Sequence, residues 1–180
     1  MKNGKVSIPV TAALEAKDAT DYLYTGETKG SKKAAATAAG IAVSLKHALA
    51  RLRLNISTDR PEYTADSYPV LQSIGFTTRE GQTGTMDLQT GDITSDSPDT
   101  GTSVNSDYRN EASPFNLIPG TPGIQKDYLL LPYGHETISA LRRLTFSIKE
   151  PDGSEKDIVV FDEADAGANT PPLIVRKPAA

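Results

Sequence analysis

The chain has 180 residues, of which 37% are hydrophobic and 23% charged, and carries a formal net charge of −4. That length suits one domain, or one domain with a fragment of another, and the acidic balance argues against a nucleic-acid partner. Cysteine is absent, which excludes disulfides, zinc–thiolate sites and a thiol nucleophile, and no apolar run is long enough to span a bilayer as a helix.

The 14 glycines and 12 prolines predict many turns and few long helices. Lys2 and Lys5 precede an apolar run from Val6 to Ala13, which Pro9 interrupts and Glu15 closes. This reads as a strand rather than a signal peptide, and any targeting segment is expected outside this chain. Val6, Ile8 and Val10 alternate, with Pro9 suited to an edge position. Ala16 to Thr20 reads as a turn, and Asp21-Tyr22-Leu23-Tyr24 as a short extended piece. Residues 27–40 read as a loop. Its Ala-rich part, Lys32 to Ala39, favours helix locally but has no large apolar anchors. Lys29, Lys32 and Lys33 form a basic cluster that reads as a solvated surface.

Val43 to Ile56 carries the most information. Val43, Leu45, His47 and Leu49 alternate, the phase slips, and Leu52, Leu54 and Ile56 resume it. Period-2 alternation marks a half-buried strand. A slip of one residue redirects the following side chains to the other face unless a bulge or bend absorbs it. A strand with an internal bulge is expected, where the chain leaves one layer of a sandwich for the other. The rival reading is a helix, since Ala42, Leu45, Ala48, Leu49 and Leu52 also fit a helical stripe.

Arg60 to Pro69 reads as a connection. Val70, Ile74 and Phe76 are expected on one strand face, and Gly84 to Leu88 as a strand that stops at Thr90-Gly91. Asp92 to Pro114, dense in Asp, Ser, Thr and Gly, reads as a long polar loop. Phe115, Leu117 and Ile118 are short anchors. Tyr128 to Pro132 reads as a buried strand ended by proline. Leu144, Phe146 and Ile148 alternate before the turn Pro151-Asp152-Gly153-Ser154, and Ile158 to Phe161 returns, which predicts a hairpin. In the tail, Leu173-Ile174-Val175 is the remaining candidate strand. The pattern as a whole predicts an all-β fold, an antiparallel β-sandwich of about seven strands with long polar loops.

Four of these elements, in this order, resemble the fimbrillin family of the Bacteroidales. Asp21-Tyr22-Leu23-Tyr24 resembles the family's D-L-L-Y element. Val43 to Leu52, with Val43, Leu45, His47, Ala48, Leu49 and Leu52 in register, resembles its V-x-L-x-F/K-H-A-L-S/A-K/R-L strand. Gly84 to Gly91, with Leu88 between, is similar to its G-T-x-D-L-x-T-G strand and turn. Leu129-Leu130-Leu131-Pro132 is similar to its L-L-P-Q element, with Leu130 and Pro132 in place and Tyr133 replacing the glutamine. The family's closing W-x-x-G-x-x-Y-x-Y strand is not found after Phe161. The resemblance implies transthyretin-like or immunoglobulin-like sandwiches, usually two in tandem. On that basis residues 1–26 would be the end of a preceding β-domain or a linker. Residues 41–163 would form the fimbrillin-like sandwich, and residues 164–180 a tail or last strand. The resemblance further implies a structural subunit of a cell-surface fimbria, associated with the outer membrane. Such a subunit would assemble with like or unlike subunits by strand exchange and contribute to adhesion to surface receptors. A sheet edge lacking its neighbour is expected, because unpaired backbone groups invite another strand.

No reaction is indicated. His47 and His135 are the only histidines, and neither has a second metal-ligand residue at useful spacing. His47 is expected as a partly buried, hydrogen-bonded side chain. Asp92, Asp96, Asp99 and Asp107 offer oxygen ligands of the kind calcium prefers, but their spacing does not match an EF-hand, so a solvated loop is expected. No nucleophile elbow, phosphate loop or dinucleotide fingerprint occurs. No catalytic residue, metal or cofactor is therefore expected. The alternative to a fimbrial subunit is a secreted β-sandwich glycan-binding module. Seven tyrosines and no tryptophan leave it only modest stacking surfaces.

Overall fold

The alternation of Leu144, Phe146 and Ile148 does form the spine of the largest sheet. In the computed structural model, residues 6–12, 14–25, 44–111, 115–133 and 141–164 are described. Val43, the Ala-rich segment, the Lys29–Lys33 cluster, His135 and the candidate strand at Leu173–Val175 lie outside them. The described residues form thirteen strands and no helix. They are β1 (Ser7–Thr11), β2 (Leu14–Glu15), β3 (Leu23–Tyr24), β4 (Lys46–His47), β5 (Ala50–Ile56), β6 (Val70–Thr78), β7 (Thr83–Asp87), β8 (Ile93–Ser95), β9 (Thr102–Asp107), β10 (Phe115–Asn116), β11 (Ile124–Leu130), β12 (Leu141–Lys149) and β13 (Glu155–Asp162).

All strand pairs are antiparallel. One sheet runs β10-β6-β12-β13, with β9 also paired to β6. It faces a second sheet, β2-β11-β5, and β1-β7-β8 and β3-β4 complete the set. Strands of residues 7–15 are thus built into sheets with later ones: β1 pairs β7 and β2 pairs β11. The hairpin read from the sequence is present. Gly153 takes φ 88°, and the Asp152 carboxylate accepts from the Ser154 backbone N–H and hydroxyl, closing the turn between β12 and β13.

The main core lies between the first two sheets. Ala50, Leu52 and Ile56 of β5, together with Tyr128 and Leu130 of β11, meet Leu71, Ile74 and Phe76 of β6 and Leu144 and Ile148 of β12. Ile74 and Phe76 share a face, as alternation requires. Leu71 joins them because Ser73 pairs Ser147 while Leu71 pairs Ile148. Gln72 is therefore an extra residue, a bulge that turns Leu71 back toward the core. A second cluster packs Val10, Ala12 and Met86 against Ala48, Leu49 and Leu131.

Three expectations change. The segment around His47 does not merely bulge. The ladder breaks after His47, and Ala48, Leu49 and Ala50 are buried in succession. Ala48 and Leu49 belong to the second cluster, Ala50 and Leu52 to the first, so the phase slip marks a transfer between cores. Before the break, Leu45 and His47 point outward: Leu45 is 60% exposed and the His47 side chain 61%. They were expected on the covered face, but among the described strands only β3 pairs with β4. The polar stretch from Asp92 is not one loop, for it supplies β8 and β9. Six backbone partners along β6 hold β9 in place, so ladder hydrogen bonds rather than apolar side chains define that strand. Finally, the strand count exceeds seven because β8 and β9 form in the polar stretch and β2, β3, β4 and β10 add pieces of two residues each.

Candidate functional site

Three of the four motif elements meet at one corner of the molecule, while Leu52 and Leu130 lie in the main core. β3 and β4 pair so that Leu23 lies opposite His47 and Tyr24 opposite Lys46. The Ala48 N–H donates to the Tyr22 carbonyl at 2.9 Å, and His47 Nδ1 sits 2.8 Å from Asp21 Oδ2. The D-Y-L-Y and H-A-L elements are therefore neighbouring strands clasped by a side-chain pair. Tyr22 and Tyr24 turn inward to the second cluster, beside Leu49, Leu88 and Leu129.

The third element closes the same corner. Asp87 Oδ1 accepts from the Gln89 N–H at 2.8 Å, and the Gly91 N–H donates to the Asp87 carbonyl at 2.7 Å. Gly91 takes φ 72°, and a Cβ there would overlap the Tyr24 ring. Gly84 is needed for another reason: its Cβ would lie 2.6 Å from the Thr94 carbonyl oxygen of β8. Replacing Gly91 by alanine is expected to cost about 1–3 kcal/mol through the left-handed backbone and the ring overlap. Chemical denaturation would measure it. In the fourth element, Tyr128 and Leu130 face the main core, while Leu129 and Leu131 face the second cluster. Pro132 follows, half-buried, at the end of β11.

Beside this corner lies a pocket of about 430 Å³ with Leu49, Leu129 and Ala16 as apolar wall and Asp21, His47 and Arg51 as polar rim. Arg51 and Arg53 both donate to Asp127, and the two guanidinium groups hold that carboxyl well below the usual range.

A polar network that the sequence did not reveal crosses the main core. The Tyr108 hydroxyl donates to Glu15 Oε1 at 2.6 Å and lies 3.1 Å from the Tyr128 hydroxyl, which donates to Ser106 Oγ at 3.2 Å. Lys126 Nζ is 3.8 Å from Glu15 Oε2 and sits over the Tyr108 and Phe115 rings at 4.1 and 4.3 Å. Burial pushes the Glu15 carboxyl up, but the Tyr108 hydroxyl and the Lys126 and Lys17 charges outweigh it and hold it below its ordinary value. Burial and the Glu15 hydrogen bond push the Tyr108 phenol up.

The four aspartates considered for calcium are dispersed. Asp92 is in the β7–β8 turn, Asp96 and Asp99 are between β8 and β9, and Asp107 ends β9. Asp107 pairs with Arg109 at 3.0 Å. Among the described residues no three His, Asp or Glu side chains gather as a metal-binding group, and no helix is long and apolar enough to cross a membrane.

The remaining feature is an edge. β13 bounds the largest sheet, with β12 on one side and no described strand on the other. Val159 and Val160 on it are 46% and 52% exposed. The β1 edge is less inviting. The Ala12 N–H donates to the Gln82 carbonyl and the Leu88 N–H to that of Val6. The even-numbered residues of β1 thus exchange hydrogen bonds with β7, and the odd-numbered ones face the open side. There Pro9 has no N–H to offer.

A family model described as fimbrillin-like matches residues 1–157. Among solved structures, a candidate cell adhesion protein from Bacteroides uniformis superposes with a TM-score of 0.54 at 16% sequence identity. The match covers 97% of this chain and 59% of that protein. This likeness concerns the fold. No curated protein sequence matches the chain.

Proposed function

The chain belongs to the fimbrillin-like family, and on that premise we propose that it is a subunit of a cell-surface fimbria. It joins its neighbours by strand pairing along β13 and contributes to adhesion at the outer membrane surface. The observation that carries this reading is the eight-residue β13, an edge strand with two adjacent valines exposed. A strand added there gains main-chain hydrogen bonds for affinity, and its side chains set the register. The cell-adhesion description of the Bacteroides uniformis protein supports the same reading. Like and unlike subunits are both admissible partners, since main-chain pairing does not itself distinguish them.

The edge also carries restraints. Glu155, Lys156 and Asp157 are charged, and the pairing with β12 is irregular between Leu144 and Thr145, both devices that discourage indiscriminate pairing. The bulge places its extra residue at Val160, between Phe161 opposite Leu144 and Val159 opposite Thr145, so pairing is centred on the uncharged stretch Ile158–Phe161, where both valines are exposed. The double substitution Val159→Lys, Val160→Lys places two charges there without touching a buried side chain. On native gels and in light scattering, the parent protein is expected to form an oligomer ladder, and the variant to run as a folded monomer. An unchanged ladder in the variant would remove β13 from the assembly interface.

A further inference from the structure

We propose that the outer face of the largest sheet carries a saccharide-binding groove centred on Gly75. A depression of about 330 Å³ opens there across four strands. Its floor is set by register: Asn105 of β9, Gly75 of β6 and Thr145 of β12 lie side by side. Arg143 and Asp157 stand at its margin.

Gly75 is the informative residue. A glycine inside a strand is unfavourable, because it adds backbone entropy to the unfolded chain and packs no side chain. Something usually demands it, and the ordinary reasons are missing here. Its φ is not positive. A Cβ would meet the nearest atoms, the Val104 and Thr145 carbonyl oxygens, at 3.9 and 4.0 Å, which is ordinary van der Waals contact. Gly84 and Gly91 are different, since both are enforced by close approach. What the missing side chain at position 75 provides is open space above the sheet.

The groups around that space fit a sugar. Asn105, Thr145 and Asp157 make no side-chain hydrogen bond among the described residues. They present an amide, a hydroxyl and a carboxylate to solvent, a mixed donor and acceptor set. Vicinal hydroxyls, each both donor and acceptor, can satisfy such a set together. Arg143 adds donors while its Nε stays 3.5 Å from Asp162 Oδ2. Two carboxylates against one guanidinium disfavour an anionic ligand, and the single carboxylate within the groove is too few for a cation site. The volume lies at the small end of ligand pockets, which suits one sugar unit. This groove is separate from the β13 pairing edge, so either assignment can fail without the other.

The test is a titration of the intact chain with methyl glycosides of glucose, galactose, mannose, fucose and N-acetylglucosamine, followed by amide chemical shifts. At least one is expected to shift Gly75, Asn105 and Thr145 with a dissociation constant of ~1 mM. Gly75→Val should fill the groove, keep or raise the thermal midpoint, and weaken binding at least about tenfold. Asn105→Ala, an exposed substitution, should weaken the same glycoside on an undisturbed fold. The proposal is overturned if none of the five shifts these amides, or if the shifts persist unchanged in both variants.

Discussion

Replacing Tyr128 by alanine is expected to cost about 3–5 kcal/mol, the largest effect of any single substitution considered. Tyr128 is fully buried. Its ring meets Phe76 edge-on, with centroids 4.9 Å apart and planes at 77°, the arrangement favoured by opposed ring quadrupoles. It also stands where the two sheets face each other, so its removal leaves a cavity that neither sheet can close alone. Tyr128→Phe separates the two roles of the side chain. It keeps the ring and removes only the hydroxyl bonded to Ser106, at a cost of about 1 kcal/mol. Urea denaturation with an unchanged m-value would read both differences. A loss below about 1 kcal/mol for the alanine variant would mean that the sheets do not pack through this residue.

The second large effect belongs to Glu15. Its carboxylate and the Lys126 ammonium are each about nine-tenths covered, at 13% and 14% side-chain exposure. Glu15→Ala leaves that ammonium beside two aromatic rings with no counter-charge, and deprives the Tyr108 hydroxyl of its acceptor. Breaking one side of such a pair is expected to cost about 2–4 kcal/mol. Adding Lys126→Met should restore part of the loss, because replacing both charges by apolar groups is often neutral. Failure of the double variant to recover any stability would show that Glu15 acts through something other than Lys126.

The same group sets a pH dependence. The folded-state pKa of Glu15 lies below the ordinary 4.5. Its contribution is therefore complete above that value and disappears as pH falls from 4.5 through the lower folded value. Across this window the unfolded chain takes up the proton first, and the linkage favours unfolding. Denaturation midpoints should decline on acidification more steeply in the parent than in Glu15→Gln, which has no proton to gain.

Much of the main sheet was legible in the sequence, for reasons specific to its strands. β12 and β13 announce themselves through clean alternation around a Pro-Asp-Gly-Ser turn, and β11 through an apolar run buried on both faces. β8 and β9 were illegible because their residues are polar. They are strands through the backbone partners that β7 and β6 supply, and no local pattern encodes that. The outward turn of Leu45 and His47 was missed because alternation shows that two faces differ without showing which is covered. At the motif corner, the resemblance pointed to the right segments. Composition could not show that Tyr24 leans on Gly91, 67 positions later by their numbering. The Glu15–Lys126 pair was hidden for the same reason, since it depends on a two-residue strand joining β11. Nothing in the local sequence marks Gly75, because its place between Asn105 and Thr145 depends on cross-strand register.

The transfer at Ala48–Ala50 has a mechanical meaning. One short stretch of main chain serves as structural member for both apolar clusters, with no slack between them. A load drawn through this segment is shared by the two clusters at once, so neither can be peeled away while the other stays whole. On the fimbrial reading proposed above, such a joint is expected to make the molecule hold, or give way, as one piece under shear.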